Sequence, residues 1–223
     1  MPSLRLVIAN KNYSSWSMRP WVLLTQAGIA FEEVLLPFAQ DNRVEGIEAY
    51  SPTRKVPVLM IDGEPVWDSL AICETVAEMF PDRRLWPADA VARSHARSVC
   101  AEMHSGFQDL RKNMPMNLRT AHPGKGRTPG SERDIARIAQ LWERCRDRFG
   151  GSGPLLFGHF TVADAMYAPV ATRFRTYGVT LPPVAESYCD ALLDLPAVRA
   201  WCEAGAKETA FVAADEPYAS PSA

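Results

Sequence analysis

Hydroxyl groups crowd one short stretch, Asn10 to Trp21, which reads Asn-Lys-Asn-Tyr-Ser-Ser-Trp-Ser-Met-Arg-Pro-Trp. An apolar run, Leu4 to Ala9, leads into it, and an apolar-periodic segment, Val22 to Ala27, leads out. A strand feeding a turn that opens a helix sets these hydroxyls beside free backbone N–H groups at the positive end of a helix dipole. Such a turn can hold an anion. The plain alternative is that Ser14 and Ser15 do no more than cap the helix, the commonest use of serine at this place. The other reactive side chains are scattered. His95, His104, His122 and His159 have no metal-ligand spacing with cysteines or acids. Cys73, Cys100, Cys145, Cys189 and Cys202 include no C-x-x-C pair. An odd, dispersed set suits a reducing compartment and buried free thiols.

The elements that must position the hydroxyl turn begin with a strand over Leu4 to Ala9. A helix from about Trp16 or Ser17 to Gly28 follows, with Pro20 in its first turn and Gly28 as its C′ residue. Phe31 to Leu36 reads as a second strand, parallel to the first across the helix. Asp41 to Tyr50 suggests a short helix. Val56 to Ile61 is a third strand, Asp62-Gly63 a hairpin turn, and Pro65 to Trp67 a fourth strand. Leu70 to Phe80 is a helix introduced by Asp68-Ser69. Pro57 heads a strand that would otherwise use its N–H, so a special backbone role such as a cis bond is expected.

Pro81 to Asp89 reads as a linker. Beyond it only helices are expected: Ala90 to Asn113, Ser131 to Phe149, Thr161 to Tyr177, Val184 to Leu193 and Pro196 to Glu208. Thr161-Val162-Ala163-Asp164 has the form of a capping box. Pro115 to Gly130 is a polar loop, and Asp215 to Ala223 a frayed tail. The domains are therefore 1–82, α/β, and 90–223, all-helical.

The 223 residues carry 24 Lys and Arg against 26 Asp and Glu, a formal charge of -2. This balance gives no reason to expect a nucleic-acid or membrane-surface partner. No apolar run approaches the roughly 20 residues of a membrane span. With no basic segment and apolar core at the N-terminus, a cytoplasmic protein is expected.

Several motifs in order carry a resemblance. Ser14-Ser15-Trp16-Ser17-Met18-Arg19 resembles the Ser-Ser-Cys-x-x-Arg stretch of zeta-class glutathione transferases. Ser51 to Leu59 resembles the family's Pro-x-Gly-Lys-Val-Pro-x-Leu signature, whose proline is cis. Trp67 to Ile72 resembles the Glu/Asp-Ser-x-Ala-Ile element, and Gly158 to Asp164 the helix-capping motif of the second domain. Two positions depart from the pattern. Trp16 stands where the zeta-like cysteine would be, and Arg54 replaces the glycine before Lys55.

The resemblance implies a thioredoxin-like domain followed by a helical glutathione-transferase domain, a homodimer, and glutathione as co-substrate. It places the cysteinyl part of glutathione against the backbone of Val56, like an added strand. Asp68 and Ser69 would hold the γ-glutamyl end, with Asp68 facing the α-amino group and Ser69 the α-carboxylate. Lys55 is either a carboxylate contact or a solvated charge, and Trp16 lies beside the bound tripeptide. Without a cysteine at position 16, the reactive sulfur comes from glutathione. Lowering a thiol pKa by about two units takes roughly 2.7 kcal/mol. One charge-assisted hydrogen bond of about 1.5–3 kcal/mol plus a helix-dipole contribution of about 0.3–1 kcal/mol is enough. Ser14 is the first choice of donor, Ser15 the second and Tyr13 the third.

The second substrate would lie under the first helix of the helical domain. Met103, Phe107 and Arg111 recur at i, i+4, i+8 and can share a face, with His104 adjacent. Met103 and Phe107 read more simply as core, and His104 as a structural histidine. The resulting expectation is a detoxifying transferase that joins glutathione to a small electrophile. A glutathione-dependent isomerase of a maleyl-type cis double bond is the alternative, and a non-catalytic interaction module is a third reading.

Overall fold

The computed structural model describes residues 2–219. Four strands form one mixed sheet in the order β2-β1-β3-β4: β1 Leu4–Ile8, β2 Glu32–Leu35, β3 Val58–Ile61 and β4 Glu64–Trp67. β1 and β2 are parallel; β1 with β3, and β3 with β4, are antiparallel. Alternation along β1 sorts the faces. Leu4, Leu6 and Ile8 point into the main core with α1 Ser15–Gln26 and α2 Ser69–Met79. Val7 and Ala9 face a smaller cluster with Val44, Ile47 and Val58.

α1 starts at Ser15, so Pro20 lies within the helix and not in its first turn. Gly28 has φ +65 and ends the helix in the left-handed conformation that glycine tolerates best. The short helix expected over Asp41 to Tyr50 reduces to a 3-10 turn at Ile47–Ala49. Few apolar residues in that segment can pay for a helix, and Gly46 turns the chain at φ +79. Val56–Pro57 is a cis peptide.

The helical part comprises α3 Ala90–Ser105, α4 Gln108–Asn113, α5 Pro129–Phe149, α6 Val162–Tyr177, α7 Pro183–Leu193 and α8 Pro196–Ala206. α6 is buried nearly throughout and packs on α1, α2, α3 and α7. The expected single helix from Ala90 to Asn113 breaks at Gly106-Phe107. Phe107 sits at φ +55, and a Cβ on Gly106 would meet the Glu102 carbonyl oxygen at 2.7 Å. The i, i+4, i+8 relation of Met103, Phe107 and Arg111 is therefore lost. Met103 and Phe107 are core, whereas Arg111 turns toward the sheet domain.

The expected capping box is present at the head of α6. The Asp164 carboxylate accepts from the Thr161 amide at 2.8 Å and from its hydroxyl at 3.0 Å. The tail is ordered further than its composition suggests. Glu216 is buried, and Tyr218 donates to the Asn113 carbonyl at 2.7 Å. The end of the expected frayed segment, 220–223, lies outside the described residues. All five cysteines are unpaired, four of them buried.

Candidate active site

The hydroxyl turn opens α1 under the helical roof. Ser14 is the N-cap residue, yet its side chain makes no cap bond. Its hydroxyl instead donates to Ser17 Oγ at 2.7 Å, and Ser17 Oγ also accepts from the Ala9 amide at 3.3 Å. A plain helix cap would have spent Ser14 on an amide of the first turn. Hydroxyl hydrogens reorient readily, so Ser17 can donate back to Ser14 and leave the Ser14 proton for an anion. Ser15 Oγ accepts from the Arg173 guanidinium at 3.1 Å, which leaves its own proton uncommitted. Both serines are nearly buried and line one cavity of about 360 Å³.

Three arginines converge behind this turn. Arg19 is fully buried, donating to the carbonyls of Ser15 at 2.7 Å and Met166 at 3.1 Å. Arg173 donates to the carbonyls of Met114 and Pro169 as well as to Ser15. Arg111 donates to the carbonyls of Met103 and His104 at the end of α3. Among the described residues none of the three is hydrogen-bonded to a carboxylate. Burial lowers the pKa of Arg173 to about 10, and repulsion from Arg111 adds to it. Arg19 is lowered by burial and then by Arg173 and Arg111; burial also lowers Arg111. Asp68, Asp134 and Asp215 act on them only through space, and an incoming anion in direct contact relieves more of the cost of withdrawing this charge from water. The Trp16 ring lies 4.1 Å from the Arg19 guanidinium and 5.1 Å from that of Arg111.

A second cleft, about 450 Å³, adjoins the first, and Trp16, Lys55 and Val56 line both. The register of β3 begins at Val58, so the N–H and carbonyl of Val56 are not spent in the sheet. Asp68 and Ser69 close the far end. Asp68 caps α2: its Oδ1 accepts from the Leu70 amide at 2.9 Å and the Ala71 amide at 3.3 Å. Ser69 Oγ is buried with no hydrogen-bond partner. An orphaned hydroxyl at a helix N-terminus, facing a cleft, is what an anionic head group would satisfy. Lys55 is exposed at the rim.

Tyr13 is committed elsewhere. Its hydroxyl accepts from Arg119 at 2.6 Å and lies 2.7 Å from the Glu216 carboxylate. Burial, with the hydrogen bond to Glu216, raises its pKa to about 12. A phenol so held is a poor donor to a thiolate. The structure thus brings Ser14, Ser15, Trp16, Lys55, Val56, Asp68 and Ser69 around two adjoining cavities. It adds Arg173, which sequence reasoning passed over, and His104, which it read as a structural histidine. The signal for Arg173 was an arginine inside a largely apolar helical run, Ala165 to Phe174.

A thioredoxin-like sheet with a backbone edge open at a cis-proline, roofed by a helical bundle, defines a class of proteins. Models of the glutathione S-transferase N-terminal and C-terminal domains match residues 13–79 and 128–204. The chain is 35% identical over 173 residues to maleylacetoacetate isomerase of Rattus norvegicus, covering 76% of this chain and 78% of that one. It is 32% identical over 97 residues to a probable maleylacetoacetate isomerase of Caenorhabditis elegans, covering 44% of this chain and 45% of that one. A Burkholderia glutathione transferase homolog solved with bound glutathione superposes with a TM-score of 0.70 at 22% identity, covering 92% and 100% of the two chains. The chain belongs to the glutathione S-transferase family.

Proposed function

We propose that this protein binds glutathione in the cleft between Val56 and Ser69 and directs its thiolate at an electrophilic carbon in the adjoining cavity. The observation that carries this reading is the junction itself. The cleft with the free Val56 backbone and orphaned Ser69 hydroxyl meets, at Trp16, the cavity that holds Ser14, Ser15 and Arg173. Ser14, backed by Ser17, donates its proton to the sulfur. Ser15 carries the field of Arg173 to the same place. Bound glutathione supplies the nucleophilic sulfur; no cysteine of this chain is suited to do so. Burial raises the pKa of Cys145 and Cys189 to about 12 and that of Cys202 to about 11, and pushes Cys73 and Cys100 up as well.

Calorimetry with glutathione tests the reading. Binding in the micromolar-to-millimolar range is expected, and an absence of heat at millimolar glutathione overturns it. A non-catalytic platform would have no need of this charge cluster around the hydroxyl turn. Detoxification, a cytoplasmic location and a homodimer belong to the same proposal, and the family resemblance supports each of them.

A second reading has a specific observation behind it. Arg111 and Arg173 line the electrophile cavity with Arg54 and Lys55, which suits a carboxylated electrophile. With the likeness to maleylacetoacetate isomerases, this supports addition to a cis double bond, rotation, and release of glutathione unconsumed. Turnover without loss of glutathione separates isomerase from transferase. On either reading, Arg111→Ala should weaken kcat/KM for carboxylated electrophiles by about tenfold, the worth of one charge-assisted hydrogen bond, and neutral ones much less. Equal losses for both would remove Arg111 from substrate recognition.

A further inference from the structure

His104 belongs to the helical roof, yet its ring reaches across to the sheet domain. Its Nε2 lies 3.1 Å from Asp68 Oδ2. We propose that His104 is a positioning residue for glutathione: it clamps Asp68 from above and so sets the subsite for the γ-glutamyl end at Ser69. The inference rests on the glutathione reading above and adds a residue from the second domain to it.

Hydrogen-bond bookkeeping supports a functional placement. Nε2 stands against the carboxylate oxygen as a close polar contact across the two domains. The other nitrogen, Nδ1, is buried without a partner. A histidine retained for stability alone would have both nitrogens satisfied or one in water. The ring is nonetheless held firmly. Its plane meets Trp16 edge-on, with centroids 5.4 Å apart, and Arg111 grips the His104 and Met103 carbonyls. Contacts with Asp68 and Trp16 fix the ring, and Arg111 holds its backbone, while Nδ1 stays unpaired.

The partner is equally constrained. Asp68 stands at φ +71, a conformation that costs an L-residue energy and persists only where its surroundings over-determine it. Two bonds from Oδ1 to the first amides of α2 do part of this, and His104 takes the remaining oxygen. The next residue is Ser69, whose buried hydroxyl is the second unpartnered polar atom lining this cleft. Releasing His104 frees Asp68 to relax, and the Ser69 hydroxyl and amide move with it. The central and C-terminal parts of the tripeptide, which lie toward Val56 and Lys55, do not feel that change.

The test compares two ligands on the full-length protein by calorimetry: glutathione, and cysteinylglycine, which lacks the γ-glutamyl group. His104→Ala should weaken glutathione by about tenfold, as expected for the loss of one polar contact to a charged group, and cysteinylglycine by less than about twofold. His104→Gln, which keeps an N–H donor within reach of Asp68, should recover part of the loss. A general loosening of the fold would weaken both ligands alike, and that result overturns the proposal. So does unchanged glutathione affinity in His104→Ala. If the parent protein binds neither ligand, the glutathione reading itself fails and this inference falls with it.

Discussion

Replacing Ser14 with alanine raises the apparent pKa of the bound thiol by one unit or more, read from the pH dependence of kcat/KM, with little loss of glutathione affinity. One unit is about 1.4 kcal/mol of preference for the thiolate. The hydroxyl that supplies it is not tied up in capping α1 but sits 2.7 Å from Ser17 Oγ, poised to be turned outward. Ser17→Ala should move the profile in the same direction by less, since it removes only the backing donor. Ser15→Ala acts differently. It cuts the link to Arg173, so it should lower the rate on carboxylated electrophiles more than it shifts the thiol. If Ser14→Ala leaves the profile unchanged while Ser15→Ala shifts it, the donor is Ser15.

Asp164→Ala should produce the largest loss of stability, on the order of 3–5 kcal/mol, because it strands several buried donors at once. The carboxylate accepts from the Thr161 amide and hydroxyl, the Leu156 amide at 3.2 Å and the Tyr188 hydroxyl at 3.2 Å. These contacts join the loop before α6, the head of α6 and α7. In a chain of this size the melting temperature should fall by roughly 10 °C. A shift under about 2 °C would show that water or a rearranged loop replaces the carboxylate. Burial raises the Asp164 pKa from 3.8 to about 6, against the pull of those hydrogen bonds. A carboxyl held above its unfolded pKa binds its proton more tightly in the folded chain. Its protonation therefore stabilises the fold fully below about pH 3.8, and that contribution is lost as pH rises through 6. The stability of the native chain relative to Asp164→Asn, which cannot titrate, should decline across this window.

Most of the sheet domain was legible because its signals are local. A short apolar, β-rich run marked β1, the Asp62-Gly63 turn marked the β3–β4 hairpin, and Gly28 marked the end of α1. The capping box at Thr161 and Asp164 was readable for the same reason. What the sequence hid depends on backbone geometry or long-range contact. Nothing in Gly106-Phe107 alone says that Phe107 will adopt a left-handed conformation and split the helix from Ala90 to Asn113. The tail looked too polar and too short to be ordered, yet Glu216 accepts from Arg119 and Asn117 at 2.8 Å, residues about a hundred positions away. That same pairing withdraws Tyr13 from contention. Around the site, the serines and the Val56-Pro57 edge were found through motifs. Arg173 was not, and His104 was read as structural, because what each faces across the domain boundary is not written in its local sequence.

The central claim is that the hydroxyl turn holds the sulfur of glutathione. A crystal structure with bound glutathione tests it most directly. The account predicts the cysteinyl backbone paired with Val56, the γ-glutamyl end at Ser69, and the sulfur within hydrogen-bonding reach of Ser14 Oγ. Glutathione bound with its sulfur pointing away from both Ser14 and Ser15, or lodged outside the Val56–Ser69 cleft, would contradict it.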